Sequence, residues 1–120
     1  MNAPTFIREG SRPQMLWTDI GAVSDIPRRG ARRVPTPFGD IAVFRTGDNE
    51  VFALVDRCPH KKGPLSQGIV HGRTVACPLH NWVIDLTSGQ PTGADAGKGC
   101  APIVPIEVRD GRIHLGQALA

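Results

Sequence analysis

The sequence predicts an all-β fold, an antiparallel sandwich or barrel, from two observations. Turn-forming residues recur too often for long helices, and the apolar residues come in short β-branched or aromatic runs. Fourteen glycines and eleven prolines are scattered through 120 residues, so a 3.6-residue pattern is interrupted before it can establish itself. A single helical turn near Asp19 to Ser24 is the one helical element expected. Residues 1 to 14 read as a flexible tail and 15 to 120 as one domain, since the length suits a single core.

Taken in order, Ile41 to Arg45 and Val51 to Asp56 are two strands joined by the polar loop Thr46 to Glu50, a hairpin. Gly68 to Val70 and Thr74 to Cys77 read as short strands about His71, Gly72 and Arg73. Val83 to Leu86 is a third, and Thr87, Ser88 and Gly89 then turn the chain. Ile106 to Arg109 and Arg112 to Leu115 flank Asp110-Gly111, a dipeptide suited to the positive φ angles of a type I′ turn.

Composition narrows the function classes. Hydrophobic residues make up 40% and charged residues 21%, and the longest apolar run, Val51 to Val55, is too short to cross a membrane. Met1 to Trp17 carries Arg8, Glu9 and Arg12 where a secretory signal needs an apolar stretch, so the expected setting is cytoplasmic, with no membrane partner. Three cysteines, an odd number, point to metal binding or a free thiol instead of a disulfide framework. The net charge is +3, and Arg28, Arg29, Arg32 and Arg33 form a basic cluster suited to steering an acidic partner. With no Tyr, four Phe and two Trp, stacking platforms for single-stranded nucleic acid are scarce, and no nucleic-acid partner is expected.

The chemistry is concentrated in two segments. Cys58-Pro59-His60 and Cys77-Pro78-Leu79-His80 each combine a thiol with an imidazole, and each follows a predicted strand, so two loops would project from one end of the sheet. Zinc accepts two thiolates and two imidazoles, but its fingers usually put both cysteines in one segment and both histidines in the other. Mixed loops favour a two-iron cluster. If each leading Cys holds one iron and each trailing His the other, both loops span the cluster in the same sense.

This pattern resembles the Rieske family from about Ile41 to Leu115. The resemblance implies a Rieske-type β-sandwich or barrel with a cluster-binding subdomain formed by the two loops. It implies a [2Fe–2S] cluster with Cys58 and Cys77 on the inner iron and His60 and His80 on the outer one. Two neutral imidazoles in place of two thiolates remove negative charge and raise the potential. High-potential members carry an additional Cys in each loop, where this chain has Gly63 and Leu79. Their hydroxyl donors toward the cluster align with Trp82 and Ile84, which have none. A potential toward the bottom of the roughly −150 to +300 mV Rieske range is therefore expected. The outward nitrogens of His60 and His80 would couple reduction to protonation.

The flanking residues sharpen the resemblance. Cys58 to Gly68, Cys77 to Trp82, and Gly93-Ala94-Asp95 followed by Gly99-Cys100 are similar to the small subunit of assimilatory NAD(P)H nitrite reductase, and the length fits too. The family implies a large partner subunit holding flavin, sirohaem and an iron–sulfur cluster, which reduces nitrite to ammonium, with the small chain as a non-catalytic electron carrier. A freestanding ferredoxin serving a ring-hydroxylating dioxygenase is the alternative. Such carriers are usually acidic, unlike this chain. No nucleophile–base pair, phosphate loop or nicotinamide fingerprint is present. Cys100 reads as a small buried thiol, and His71 and His114 as ordinary surface or core residues. Leu65, Leu79 and Trp82 are expected to keep water from the cluster.

Overall fold

A computed structural model describes residues 15–37, 39–58, 63–78, 82–93, 96–97 and 99–118. The expected tail, 1 to 14, lies outside them. Among the described residues, nine strands make three antiparallel sheets: β1 (Met15–Ala22) with β9 (Arg112–Ala118) and β8 (Ile106–Arg109), in the order β1–β9–β8; β2 (Gly30–Thr36), β3 (Gly39–Arg45) and β4 (Val51–Val55); and β5 (Ile69–His71), β6 (Thr74–Ala76) and β7 (Val83–Asp85). The all-β expectation holds.

The β2–β3–β4 sheet is the central layer. Along β3, Ile41, Ala42, Val43 and Phe44 are all buried, which an antiparallel strand with one wet face would not show. Alternation divides them between two cores. Ala42 and Phe44, with Leu54 of β4, pack against Val70, Val75 and Ile84 of the small sheet. Ile41 and Val43, with Ala53, pack against Ile113 and Leu115 of β9 and Ile26. The free edge of β4 is covered by the chain at 102 to 104, through Val55 N–H to Pro102 O and Val104 N–H to Ala53 O, both 2.9 Å.

The hairpins fall where expected, although β4, β6 and β7 each stop one residue short and β5 begins and ends one residue late. At the β8–β9 turn Asp110 and Gly111 have φ of 52° and 76°, the positive values the dipeptide predicted. The helical turn is corrected. Asp19 to Ala22 belong to β1, and the 3-10 turn of this segment is Val23–Asp25; a second 3-10 turn, Leu65–Gln67, adds a helical element the sequence did not lead us to expect. The register with β9 shifts between Asp19 and Gly21, and the Asp19 carboxylate accepts from Gly21 N–H at 2.9 Å, so a bulge absorbs the polar residues. Strand β2 was not anticipated. It is an edge strand, where exposed arginines and Pro35 are tolerated without an alternating pattern.

Candidate metal centre

Strand β4 delivers Cys58 and β6 delivers Cys77, and both side chains are buried in the core beneath the small sheet, among Leu65, Ile84 and Leu86. The two loops are closed alike. Cys58 N–H donates to Gly63 O at 2.8 Å, and Cys77 N–H donates to Trp82 O at 2.7 Å, so each cysteine bonds the carbonyl of the fifth residue after it. Each closed loop contains one of the predicted histidines. His60 and His80 themselves, and Leu79, lie outside the described residues. All three cysteines are unbridged.

The first loop is anchored by a residue that the motif did not single out. Asp56, its side chain 1% exposed, accepts Ser66 N–H at 2.7 Å, the Ser66 hydroxyl at 2.6 Å and Arg33 Nε–H at 3.2 Å. It thereby ties the end of β4 to the 3-10 turn Leu65–Gln67 on the far side of the loop. An Asp two residues before a Cys, with a Ser ten residues on, was the only signal in the sequence.

Glycines bring the remaining parts together. A Cβ on Gly68 would collide with Ala76 O, on the residue just before Cys77. Gly89, with φ 74°, lies so close to Ala101 that a Cβ would collide with its carbonyl oxygen, while Ala101 N–H donates to Gly89 O at 2.7 Å. Asp85 organises that turn. Bonds from the Thr87 hydroxyl (2.6 Å) and backbone N–H (2.7 Å) hold its carboxyl below the usual range.

Of the shielding residues, Leu65 is fully buried in the same core as the cysteines and Trp82 is partly buried against that core. Gly63 and Ile84, where donors or an additional Cys were compared, are both buried, and Ile84 packs in the core. Cys100 is corrected: it is exposed, because Ala101 takes the buried place against Gly89. His71 is exposed at the end of β5.

Two unbridged, buried cysteines at the heads of two matched loops suit an iron–sulfur cluster. Thiolates ligate such a cluster, buried sulfur is kept from water, and the two ends of each loop are joined by a backbone hydrogen bond. The fold and the paired loops define a small cluster-carrying β-domain. Residues 16–105 match the Rieske [2Fe-2S] domain. The chain belongs to the Rieske [2Fe–2S] family, and its cofactor is a Rieske-type [2Fe–2S] cluster, which supplies one-electron transfer. It is 35% identical over 105 residues to the anthranilate 1,2-dioxygenase ferredoxin subunit of Burkholderia cepacia, covering 82% of this chain and 90% of that one. Its fold is similar to a Mycobacterium tuberculosis chain described as an NADH-dependent nitrite reductase small subunit (TM-score 0.79, 24% identity, 89% of this chain and 99% of that one). A second chain, described as an NADPH nitrite reductase small subunit, is similar at TM-score 0.71 and 25% identity, over 83% and 97%. Among the described residues, no helix is long and apolar enough to cross a membrane.

Proposed function

We propose that Cys58 and Cys77 hold one iron of the cluster and His60 and His80 the other, with residues 15–120 acting as a single electron-transfer domain. We further propose that the chain is the electron-transfer small subunit of a cytoplasmic NAD(P)H-dependent nitrite reductase, beside a large flavin, sirohaem and iron–sulfur subunit. The observation that carries the ligand assignment is the matched closure of the two loops from Cys58 to Gly63 and Cys77 to Trp82. The partner assignment is carried by the sequence of those loops and of Gly93 to Cys100. Likeness to two small-subunit chains over nearly their whole length supports it. Three unbridged cysteines suit a reducing compartment.

A second reading, an oxygenase ferredoxin, is favoured by the 35% identity above and by further relatives named as dioxygenase ferredoxins. Affinity capture from the native host grown on nitrite separates the two. A large sirohaem-containing partner is expected, and recovery of a terminal oxygenase instead would replace the first reading by the second. A redox titration checks the site: the midpoint is expected toward the lower end of roughly −150 to +300 mV. A value above about +100 mV would contradict the inference from Trp82 and Ile84 that hydroxyl donors are missing.

A further inference from the structure

The arginine cluster divides into two chemically different sets. Arg33 is committed to the loop anchor through Asp56 and lies 3.8 Å from Asp40, and Arg32 donates to Ile20 O at 2.7 Å. Arg28, in the turn before β2, instead meets Arg45 at the end of β3. The Asn49 side-chain oxygen accepts Arg28 Nε–H at 3.2 Å and both Nε–H and Nη2–H of Arg45 at 3.1 and 2.8 Å. Two cationic guanidiniums are therefore held side by side on one neutral amide oxygen, which orients them without cancelling their charge.

The frame beneath them is rigid. Arg45 Nη1–H donates to Ile26 O at 2.7 Å, and the β3–β4 loop is closed by Thr46 N–H to Glu50 O at 2.9 Å and Asn49 N–H to Thr46 O at 3.1 Å. Arg29 and Asn49 both adopt positive φ, 57° and 66°. That conformation is uncommon for a residue such as Arg. It leaves Arg29 over Gly47, where a Cβ would lie 3.1 Å from its Nε. Glu50 does not neutralise the group, because Arg73 engages it with two bonds of 2.8 Å. Asp48 is exposed in the same loop. Among the described residues it forms no ion pair, and neither do Arg28, Arg29 or Arg45.

We propose that Arg28 and Arg45, presented by Asn49, and Arg29, lying over Gly47 in the same loop, form an anchoring site for an acidic segment of the partner protein. This rests on the reading that the chain works in complex with a larger subunit. The site is at the wrong end for electron exchange: Arg45 and Val51 face each other where β4 begins, whereas Cys58 follows its other end. In the small sheet Arg73, bonded to Glu50, precedes β6, and Cys77 follows it. An acidic segment bound here holds the carrier by its distal end and leaves the cluster loops free to face the acceptor. Fixed, orphaned positive charge is complementary to consecutive carboxylates and steers their approach.

The test is titration of a hexaglutamate peptide into the cluster-loaded protein, followed by ¹H–¹⁵N spectra. Shifts confined to residues 28–32 and 45–50, suppressed by salt, are expected. Arg28→Glu with Arg29→Glu is expected to weaken binding about tenfold or more with the cluster's EPR signal unchanged. Asn49→Asp places a carboxylate between the guanidiniums and is expected to give a similar loss with every arginine and the fold intact. Absence of shifts, shifts on another face, or inorganic phosphate binding as tightly as the peptide would overturn the proposal. Peptide binding is independent of which partner is captured. Loss of the nitrite reductase partner in the capture experiment with peptide binding retained would refute that assignment alone.

Discussion

The central sheet is covered on its two faces by layers built on different principles. The β1–β9–β8 layer is held by long ladders, with β1 paired to β9 from Met15 to Ala22. The β5–β6–β7 layer has strands of three residues each, and its pairing ends just where the cluster loops begin. Three paired residues per strand cannot hold a sheet alone. The small layer depends instead on the close approach of Gly68 to Ala76 at its own edge and on contacts from outside it: Asp56 on Ser66, Glu50 on Arg73, and Ala101 against Gly89. The long ladders support the fold, and the site is positioned by side chains and glycines.

The largest break in this contrast is at the cysteines. Cys77→Ser is expected to abolish the EPR signal of the dithionite-reduced protein and to loosen the small layer, while amides of β1 and β9 keep their hydrogen-exchange protection. Equal loss of protection in both layers would show that they are one cooperative unit. Next come the glycines. Gly89→Val combines an unfavourable φ with a collision at Ala101 O and is expected to cost about 2–4 kcal/mol in urea denaturation. Gly111→Ala in the opposite layer, with φ 76° but open space around it, is expected to cost about 1 kcal/mol.

Asp56→Ala leaves the Ser66 N–H and hydroxyl without their acceptor and is expected to cost about 2–3 kcal/mol and shorten cluster lifetime. Its counterpart across the molecule is Asp19, which pairs with Arg112 at 2.9 and 3.0 Å on an exposed surface. Asp19→Ala loses a screened surface pair and the exposed bond from Gly21 N–H, and is expected to cost about 1 kcal/mol or less at high salt. The smallest effect is that of pH. Arg112 lowers the Asp19 carboxyl and Thr87 lowers that of Asp85. A depressed folded-state pKa contributes stability that is complete above the unfolded value, near 4, and is lost as pH falls through the folded one. Stability attributable to these groups should be flat from neutrality to about pH 5 and decline below 4, and Asp85→Asn should flatten that decline.

Several elements were legible because their signals are local. Asp110-Gly111 specifies positive φ in its own backbone, and the apolar run of β3 and β4 required burial whatever the surroundings. Strands β1 and β2 were not legible. Asp19 and Gly21 read as a helix start until β9 supplies a ladder partner far along the chain, and the arginines of β2 show no alternation because that strand is an edge. In the site, Cys58 and Cys77 stood out through the repeated Cys-Pro and His pattern. Asp56 did not, since an acidic residue near a Cys is unremarkable until Ser66 and Arg33 are brought to it.

The sequence by itself determined where the chemistry is concentrated, since thiols and imidazoles are properties of side chains and the spacing of the two Cys-and-His segments is written in the chain. It also determined the turns, where the conformational freedom of Gly and Asp is intrinsic. Only the tertiary structure decided which charges are spent and which remain. Arg33 meets Asp56 while Arg28 and Arg45 share the neutral Asn49, because pairing of β2 with β3, and of β3 with β4, sets the neighbours of each guanidinium across gaps of up to 23 residues. Electrostatic partnership is a matter of distance in space, and distance in space is what the register of the sheets imposes.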